Sequence, residues 1–273
     1  MPDAAGLHEP PARLQRLRGR VVLGVKVGDD GLTRLDRLYQ SGSARLRLPK
    51  GPGLEGVLIN TGGGLTGGDV LETEVIVPVG ARATVTTQAA EKIYRASGGE
   101  AVVLNQLTVG GRLDWLPQET ILFDGARLAR RLDVDMDAGA TLLAVESVVF
   151  GRTARGERVT SGLFRDDWRI RRDGRLAYAD RVRLSGDIDA QLSRPAVAAR
   201  ARAAASCLYV APDAEAQVDA VRGLLGGVSA GASAWNGLLA LRLVAADGQA
   251  LLRALAPVIE FLRGMPVPRV WRC

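Results

Sequence analysis

The sequence is poor in the side chains that most often carry enzyme chemistry. Its 273 residues include one histidine, two cysteines and only 4% aromatic residues. His8 lies within the first 18 residues, so the rest of the chain offers no histidine as a general base or as a ligand of a tight transition-metal site. Glycosidases usually bring many aromatic side chains for sugar binding, and few are present here. We therefore expect a protein that is not an enzyme and holds no tightly bound cofactor.

Disulfide bonds and membrane spans are not expected either. Cys273 is the last residue, and two cysteines make no disulfide framework, which suits a reducing compartment. No apolar run approaches the length of a membrane span, and residues 1–18 lack the apolar segment of a signal peptide. We expect a cytoplasmic protein with a flexible leader at residues 1–18 and a single domain at residues 19–273.

The chain is basic, with a formal net charge of +6, yet only three of its 36 basic residues are lysine. Basic chains often bind nucleic acid. Here arginines alternate with acids, and no aromatic residues are interleaved with basic runs. We expect a mixed solvated surface and no nucleic-acid partner. The alternative is a β-rich nucleic-acid-binding protein, which should show steep salt-dependent binding.

Apolar and polar residues alternate from Gly19 to about Leu184, in short runs broken by glycine, proline and aspartate. This period of two predicts many short β-strands. A weak repeat follows Gly80, Gly110 and Gly139, which are 30 and 29 residues apart. Small or apolar residues recur one, three and five positions after each of these glycines. Three such units predict stacked β layers that share one core.

Two helices are predicted near the C-terminus, so the fold class is mainly β with about two C-terminal helices. Asp213 is the candidate N-cap of the segment AEAQVDAVRGLL, which two glycines follow. The second helix runs from about Gln249 to Leu262 and is followed by Gly264. Its interior Pro257 should kink it.

The stretch TGGGLTGGDV at residues 61–70 has Gly62, Gly64 and Gly67 in the spacing of a dinucleotide-binding loop. Such a loop needs a helix directly after the glycines, because the helix N-terminus binds the pyrophosphate. An alternating strand follows instead, and the lysine of a P-loop is missing. We expect a tight connection between strands, or a close approach of another backbone. A nucleotide-binding oxidoreductase is the alternative, and a cofactor-protection assay would test it.

Four acidic residues fall on the apolar faces of predicted strands, because side chains alternate along a strand. They are Asp69, Glu91, Glu146 and Asp180. Burying a carboxylate is costly unless it is paired or hydrated. Ion pairs with nearby arginines are one explanation. The other is a hydrated internal path for a divalent cation, since carboxylates and water suit hard or borderline ions.

Five segments together resemble the urease accessory protein UreD family, called UreH in some organisms. They are NTGGGLTGGD (60–69), TTQAAEKIYRASGG (86–99), LDWLPQETILFDGARL (113–128), FGRTARGE (150–157) and MPVPRVWRC (265–273). The similarity runs from about residue 19 to the C-terminus. The resemblance implies a mostly β fold in β-helix-like layers with two helices, and a nickel-delivery chaperone in place of an enzyme.

The resemblance also implies partners and a path for the metal. Members of the family bind apo-urease and recruit UreF, which docks the GTPase UreG that carries nickel. We therefore expect a dimeric UreD–UreF–UreG assembly in which GTP hydrolysis belongs to UreG. Ni²⁺ in transit is implied to pass through a water-filled tunnel to the urease active site.

Resemblance and strand phase together make the four inward acids, Asp69, Glu91, Glu146 and Asp180, the candidates for the wall of this tunnel. Oxygen ligands would bind the ion loosely enough to release it. The two helices and residues 266–273 are the candidate contact for UreF. The competing interpretation is that the apolar faces of these helices pack on the protein's own sheet.

Overall fold

Two β-sheets and three α-helices make up residues 15–272, which are the residues that the computed structural model describes. Most of the predicted leader, with His8, and the last residue, Cys273, lie outside this range. The helices are α1 (Ile188–Leu192), α2 (Val218–Leu224) and α3 (Gly248–Arg263). The strands are β1 (Arg18–Val27), β2 (Thr33–Gly42), β3 (Ala44–Arg47), β4 (Leu54–Asn60), β5 (Val70–Val77), β6 (Arg82–Thr87), β7 (Glu91–Ile93), β8 (Ala101–Val109), β9 (Arg112–Leu116), β10 (Thr120–Leu122), β11 (Arg127–Met136), β12 (Thr141–Phe150), β13 (Leu163–Arg172), β14 (Arg175–Ser185), β15 (Ala203–Val210), β16 (Ser229–Trp235) and β17 (Leu238–Ala245).

The chain passes back and forth between the two sheets. Sheet A has the order β14-β13-β11-β8-β5-β1-β2, and sheet B has the order β16-β17-β15-β12-β9-β6-β4-β3, with the short β7 and β10 at its side. Strands of successive turns pair in parallel, as β5, β8 and β11 do in sheet A and β6, β9 and β12 do in sheet B. This stack of coils confirms the mainly β, β-helix-like fold.

The weak repeat in the sequence corresponds to the three turns that carry the chain from sheet A to sheet B. In sheet B, Ala83 stands beside Leu113, and Leu113 stands beside Leu142. The three side chains are almost completely buried. The apolar offsets of the repeat are therefore the inward faces of neighbouring coils, and they share one core between the sheets.

Helix α3 lies on the outer face of sheet B, where its apolar stripe joins a second core with strands β15 and β17. The side chain of Asp247 caps its N-terminus by accepting a hydrogen bond from Ala250 N, and Gly264 ends it at a φ of 70°. Pro257 lies inside the helix, and the kink expected there stays a prediction. No helix within residues 15–272 is both long enough and apolar enough to cross a membrane.

The other two helices differ from the sequence-based expectation. The segment after Asp213 begins as a 3-10 turn, and its α-helical part is short. Asp213 has a φ of −99° and a ψ of 8°, outside the extended backbone of an N-cap, and it accepts a hydrogen bond from Tyr209 Oη instead. Its predicted capping role is therefore wrong. Helix α1 was not predicted from the sequence. The side chain of Asp187 caps its N-terminus by accepting a hydrogen bond from Ala190 N.

The glycine-rich stretch connects strands and opens no helix. Strand β5 follows it directly, as the alternating pattern predicted. A Cβ at Gly67 would collide with the backbone carbonyl of Gly98, so glycine is required by the close approach of a neighbouring loop. Without a helix N-terminus at this place, the dinucleotide-binding alternative loses its basis.

The C-terminal segment is tied to sheet B by buried polar contacts. The Arg263 guanidinium donates to Asp114 Oδ2 (3.0 Å), to Thr84 Oγ1 (3.0 Å) and to the carbonyl of Pro266. Trp271 Nε1 donates to Thr86 Oγ1 over 3.0 Å. These contacts hold both the end of α3 and the segment beyond it against the outer face of the sheet.

Candidate functional site

A cavity of about 290 Å³ lies between the two sheets, large enough for several water molecules. Exposed residues such as Gly63, Gln88 and Lys92 form part of its wall, so it opens to solvent there. Deeper in, polar side chains from both sheets line it, among them Asn105 of β8 and Thr120 of β10. The inward phase of the strands brings these side chains into an otherwise apolar interior.

Glu91, at the start of β7, belongs to the wall of this first cavity. Its Oε1 accepts a hydrogen bond from Asn60 Nδ2 over 3.0 Å. Burial raises the pKa of the Glu91 carboxyl to about 7, although the bond from Asn60 and the charge of Lys92 act in the opposite direction. Near neutral pH this carboxyl can therefore exist in either protonation state.

Arg130 and Glu146, which line the first cavity, belong to a buried ion cluster that consists of Arg130, Glu146 and Asp166. The three residues are 4%, 4% and 6% exposed. Arg130 Nη1 lies 2.5 Å from Glu146 Oε2, and Arg130 Nη2 lies 2.7 Å from Asp166 Oδ2. Arg130 Nε donates to Asp166 Oδ1 (3.0 Å), so the Asp166 contact is bidentate.

Two further groups complete this ion cluster. Thr120 Oγ1 accepts from Arg130 Nη1 over 3.2 Å, and Trp115 Nε1 donates to Glu146 Oε1 over 3.0 Å. Both carboxylate oxygens of Glu146 thus have a donor. Burial nevertheless raises the pKa of Glu146, with Arg130 and Trp115 opposing the change and the nearby Asp166 charge adding to it.

The guanidinium of Arg130 stays charged in this cluster. Burial alone would lower the pKa of Arg130, but the charges of Asp166 and Glu146 outweigh it, and the net shift is upward. One guanidinium and two carboxyl groups therefore meet where only a few per cent of each residue is exposed. Breaking such a buried set leaves an uncompensated charge, which is strongly destabilising.

A second cavity of about 210 Å³ begins on the other side of the ion cluster. Arg130 and Glu146 line both cavities, and Asp166 lines the second. The second cavity is bounded by β11, β13 and β14 of sheet A and by β12, β15 and β17 of sheet B. Its wall includes the exposed residues Val197 and Arg242. Two cavities that reach the surface at different places thus meet at one buried ion cluster.

The four acids predicted from strand phase have different surroundings. Glu146 lies at the junction of the cavities, and Glu91 lies in the wall of the first. Asp180 forms an ion pair with Arg242, whose side chain lines the second cavity. Asp69 is buried but borders neither cavity.

Asp69 uses its carboxylate to hold backbone. Its two oxygens accept from Leu17 N and Thr66 N, each over 2.8 Å. Asp69 directly precedes β5, and its carboxylate joins the amide of Thr66 in the glycine-rich stretch to the amide of Leu17 before β1. These contacts support a structural role for Asp69. Asp180 likewise borders neither cavity and is held in its ion pair, so only Glu91 and Glu146 of the four predicted acids line a cavity.

Sequence reasoning missed several polar residues that the structure places at the site, among them Arg130, Asp166 and Asn60. Arg130 shares the inward face of β11 with Leu128 and Leu132, and Asp166 shares that of β13 with Trp168. The same phase argument that identified Glu146 applies to both. Asn60 could not be found in this way, because its partner Glu91 lies 31 residues away and is reached only through the stacking of coils.

Metal-ligand side chains are sparse at the site. Within residues 15–272, no three side chains of His, Cys, Asp and Glu come together in a way that could hold a metal ion. The thiol of Cys207 is buried, and burial raises its pKa to about 12, so it is not a thiolate near neutral pH. Among the acidic residues described, Glu91, Glu146 and Asp166 line the cavities.

Comparison with known proteins gives a consistent result. The family described as UreD urease accessory protein matches residues 17–272. A urease accessory protein UreD of Methylobacterium sp. (strain 4-46) is 50% identical over 278 residues, covering 97% of this chain and 99% of that protein. One of Rhizobium johnstonii is 54% identical over 264 residues, covering 95% and 96%. One of Azorhizobium caulinodans is 50% identical over 265 residues, covering 95% and 97%.

Proposed function

The chain belongs to the UreD family of urease accessory proteins, and we propose that its interior carries Ni²⁺ toward the active site of apo-urease. The observation that carries this proposal is the meeting of two surface-reaching cavities at the buried carboxylates of Glu146 and Asp166. The proposal makes the protein a maturation chaperone without catalytic activity of its own. Nickel is its cargo, and no tightly bound cofactor is needed.

The chemistry of the path suits a divalent cation in transit. Carboxylate and amide oxygens are spaced along it, first Glu91 with Asn60 and then Glu146 with Asp166. Oxygen donors and water bind such an ion without the near-permanent retention that thiolate and imidazole ligands give. An ion that must leave again needs sites of this weaker kind.

The proposed partners rest on membership of the family and on the exposed side of α3. We propose that the chain binds apo-urease and recruits UreF, that UreF docks UreG, and that GTP hydrolysis belongs to UreG in a dimeric assembly located in the cytoplasm. The inner face of α3 packs on the protein's own sheet, so a UreF contact would use its outer side. Leu252, Phe261 and Met265 are exposed there or just beyond, at 36%, 42% and 46%.

The test replaces Glu146 with glutamine in cells that make apo-urease and its accessory proteins. Glu146→Gln removes the negative charge at the junction and keeps the size of the side chain. Glu74→Gln is the matched control, because Glu74 pairs with Arg20 on the outer side of sheet A. We expect urease purified from Glu146→Gln cells to contain at least several-fold less nickel than urease from the control.

Pull-down of UreF, UreG and urease with each variant separates delivery from assembly. The proposal requires that the Glu146→Gln complex assembles as the control does while its urease stays poor in nickel. Normal nickel content with a normal complex would mean that the protein works as a scaffold and that its interior carries no cation.

A further inference from the structure

Arg130 places a fixed positive charge at the point that the two cavities share. Its side chain is 4% exposed. Its Nη1 contacts Glu146 and donates to Thr120, and its Nη2 and Nε both donate to Asp166. An arginine cannot lose its proton under any condition that a folded protein tolerates. A cation that travels from one cavity to the other therefore meets a permanent positive charge at the point that the two cavities share.

The two carboxylates converge on one small volume, because both bond to the same guanidinium. Glu146 reaches it from β12 in sheet B, and Asp166 reaches it from β13 in sheet A. With both ionised, they hold two negative charges and Arg130 offsets one. Without Arg130, two buried carboxyl groups would share one site with no counter-ion, an arrangement that either a shared proton or a divalent cation relieves.

We propose that Arg130 is a built-in competitor of the travelling cation, which keeps the Glu146–Asp166 pair from retaining it. The cation binds the carboxylate oxygens only while the guanidinium is displaced from them. When the guanidinium binds the carboxylates again, it helps to release the cation. This inference rests on the proposed function, and it assigns to Arg130 the weak affinity that transit requires. The competing interpretation is that Arg130 only balances two buried acids and has no part in ion release.

The first experiment measures Ni²⁺ binding to the purified full-length chain by equilibrium dialysis. Arg130→Met removes the charge and keeps a long apolar side chain. Arg20→Met is the matched control, since Arg20 forms an exposed ion pair with Glu74. We expect Arg130→Met to gain one Ni²⁺ site per chain with an affinity at least about 100-fold above that of the control, because the buried pair has lost its counter-ion.

A further variant shows where the ion binds. The gained site should disappear in the double variant Arg130→Met/Glu146→Gln, which lacks one of the two carboxylates. An Arg130→Met chain that binds Ni²⁺ no more tightly than the control overturns the inference, and so does a gain that survives in the double variant. Neither result depends on whether urease is activated, so the outcome stands apart from the test of the proposed function.

Arg130→Lys keeps the inference testable where the methionine variant does not fold. A lysine ammonium lacks the fork that bonds both carboxylates at once, so it competes less well with the ion. We expect a smaller gain in Ni²⁺ affinity, about tenfold. An unchanged affinity in a folded Arg130→Lys chain overturns the inference.

The second experiment asks whether tighter binding hinders delivery. In cells that make apo-urease, nickel should remain with the Arg130→Met accessory protein, and the nickel content of urease should fall below that of the Arg20→Met control. Normal loading of urease by a chain that has gained the tight site overturns the inference, because release would then not depend on Arg130.

Discussion

Removal of the Arg263 side chain should lower the free energy of unfolding, and its buried contacts give the size of the loss. Its guanidinium is buried and bonds to Asp114, Thr84 and the carbonyl of Pro266. In an Arg263→Met chain, Asp114 keeps only Arg112, at a long 3.4 Å, as an ionic partner. Breaking a buried pair from one side typically costs about 3–5 kcal/mol, much of it from the charge left behind.

That cost translates into measurable shifts in both thermal and urea unfolding. For a chain of this size, 3–5 kcal/mol corresponds to a decrease in Tm of roughly 6–20 °C. Urea unfolding followed by circular dichroism should show a lower midpoint with an unchanged m-value, because the native surface is otherwise preserved. The Arg20→Met variant loses an exposed ion pair and should stay within about 1 kcal/mol of the wild type.

A double-mutant cycle tests the reason for the loss. If the stranded carboxylate causes most of the destabilisation, then Asp114→Asn should rescue Arg263→Met by about 1–3 kcal/mol, since a neutral amide is cheaper to bury. Additive effects of the two substitutions, with the double variant less stable than either single one, would refute the reasoning. A loss below about 1 kcal/mol for Arg263→Met would refute the magnitude.

Three further predictions concern the cavity and the glycine-rich stretch. The pKa of Glu91 is raised from 4.5 to about 7, so the free energy of unfolding falls as pH rises from about 4.5 and Glu91 ionises in the folded state. Glu91→Gln should therefore be more stable than the wild type by up to about 3 kcal/mol at pH 8, but not at pH 4.5. Melting curves recorded at both pH values check this. Trp115→Phe removes the hydrogen bond to Glu146 and should lower the free energy of unfolding by about 1–3 kcal/mol in urea titrations, and an unchanged midpoint contradicts the bond. Gly67→Ala should lower the free energy of unfolding by about 1–3 kcal/mol, because the new Cβ forces a neighbouring loop to move. Gly139→Ala places its Cβ in open space and should leave the free energy of unfolding nearly unchanged. Equal losses of stability in the two variants would contradict the packing argument.

Strand phase predicted which side chains face the interior, because alternation follows from local geometry alone. Glu146 is the clearest success, and Arg130 and Asp166 obey the same rule although they were missed. The stacked layers were also predictable, since the repeat after Gly80, Gly110 and Gly139 records the coil length of the fold. These features depend only on short-range periodicity.

What each inward group bonds to could not be predicted in the same way. Asp69 is inward, yet its carboxylate is used by backbone amides at the start of β5, a contact that depends on the conformation of a glycine-rich loop. Asn60 reaches Glu91 only because their coils stack in a particular register. Asp213 stands in a sequence typical of a helix N-cap, but its carboxylate accepts a hydrogen bond from the Tyr209 hydroxyl instead.

The most direct measurement of the central claim is nickel transfer through the purified accessory complex when the second cavity is filled. Ala204 lines that cavity, and a phenylalanine there would fill part of it. Ala179→Phe is the control, because Ala179 is exposed on the outer side of β14. With UreG loaded with radioactive ⁶³Ni and apo-urease as acceptor, transfer should fall at least several-fold with Ala204→Phe and stay normal with Ala179→Phe. Equal transfer by both variants, in complexes of equal composition, would contradict passage of nickel through the interior of the protein.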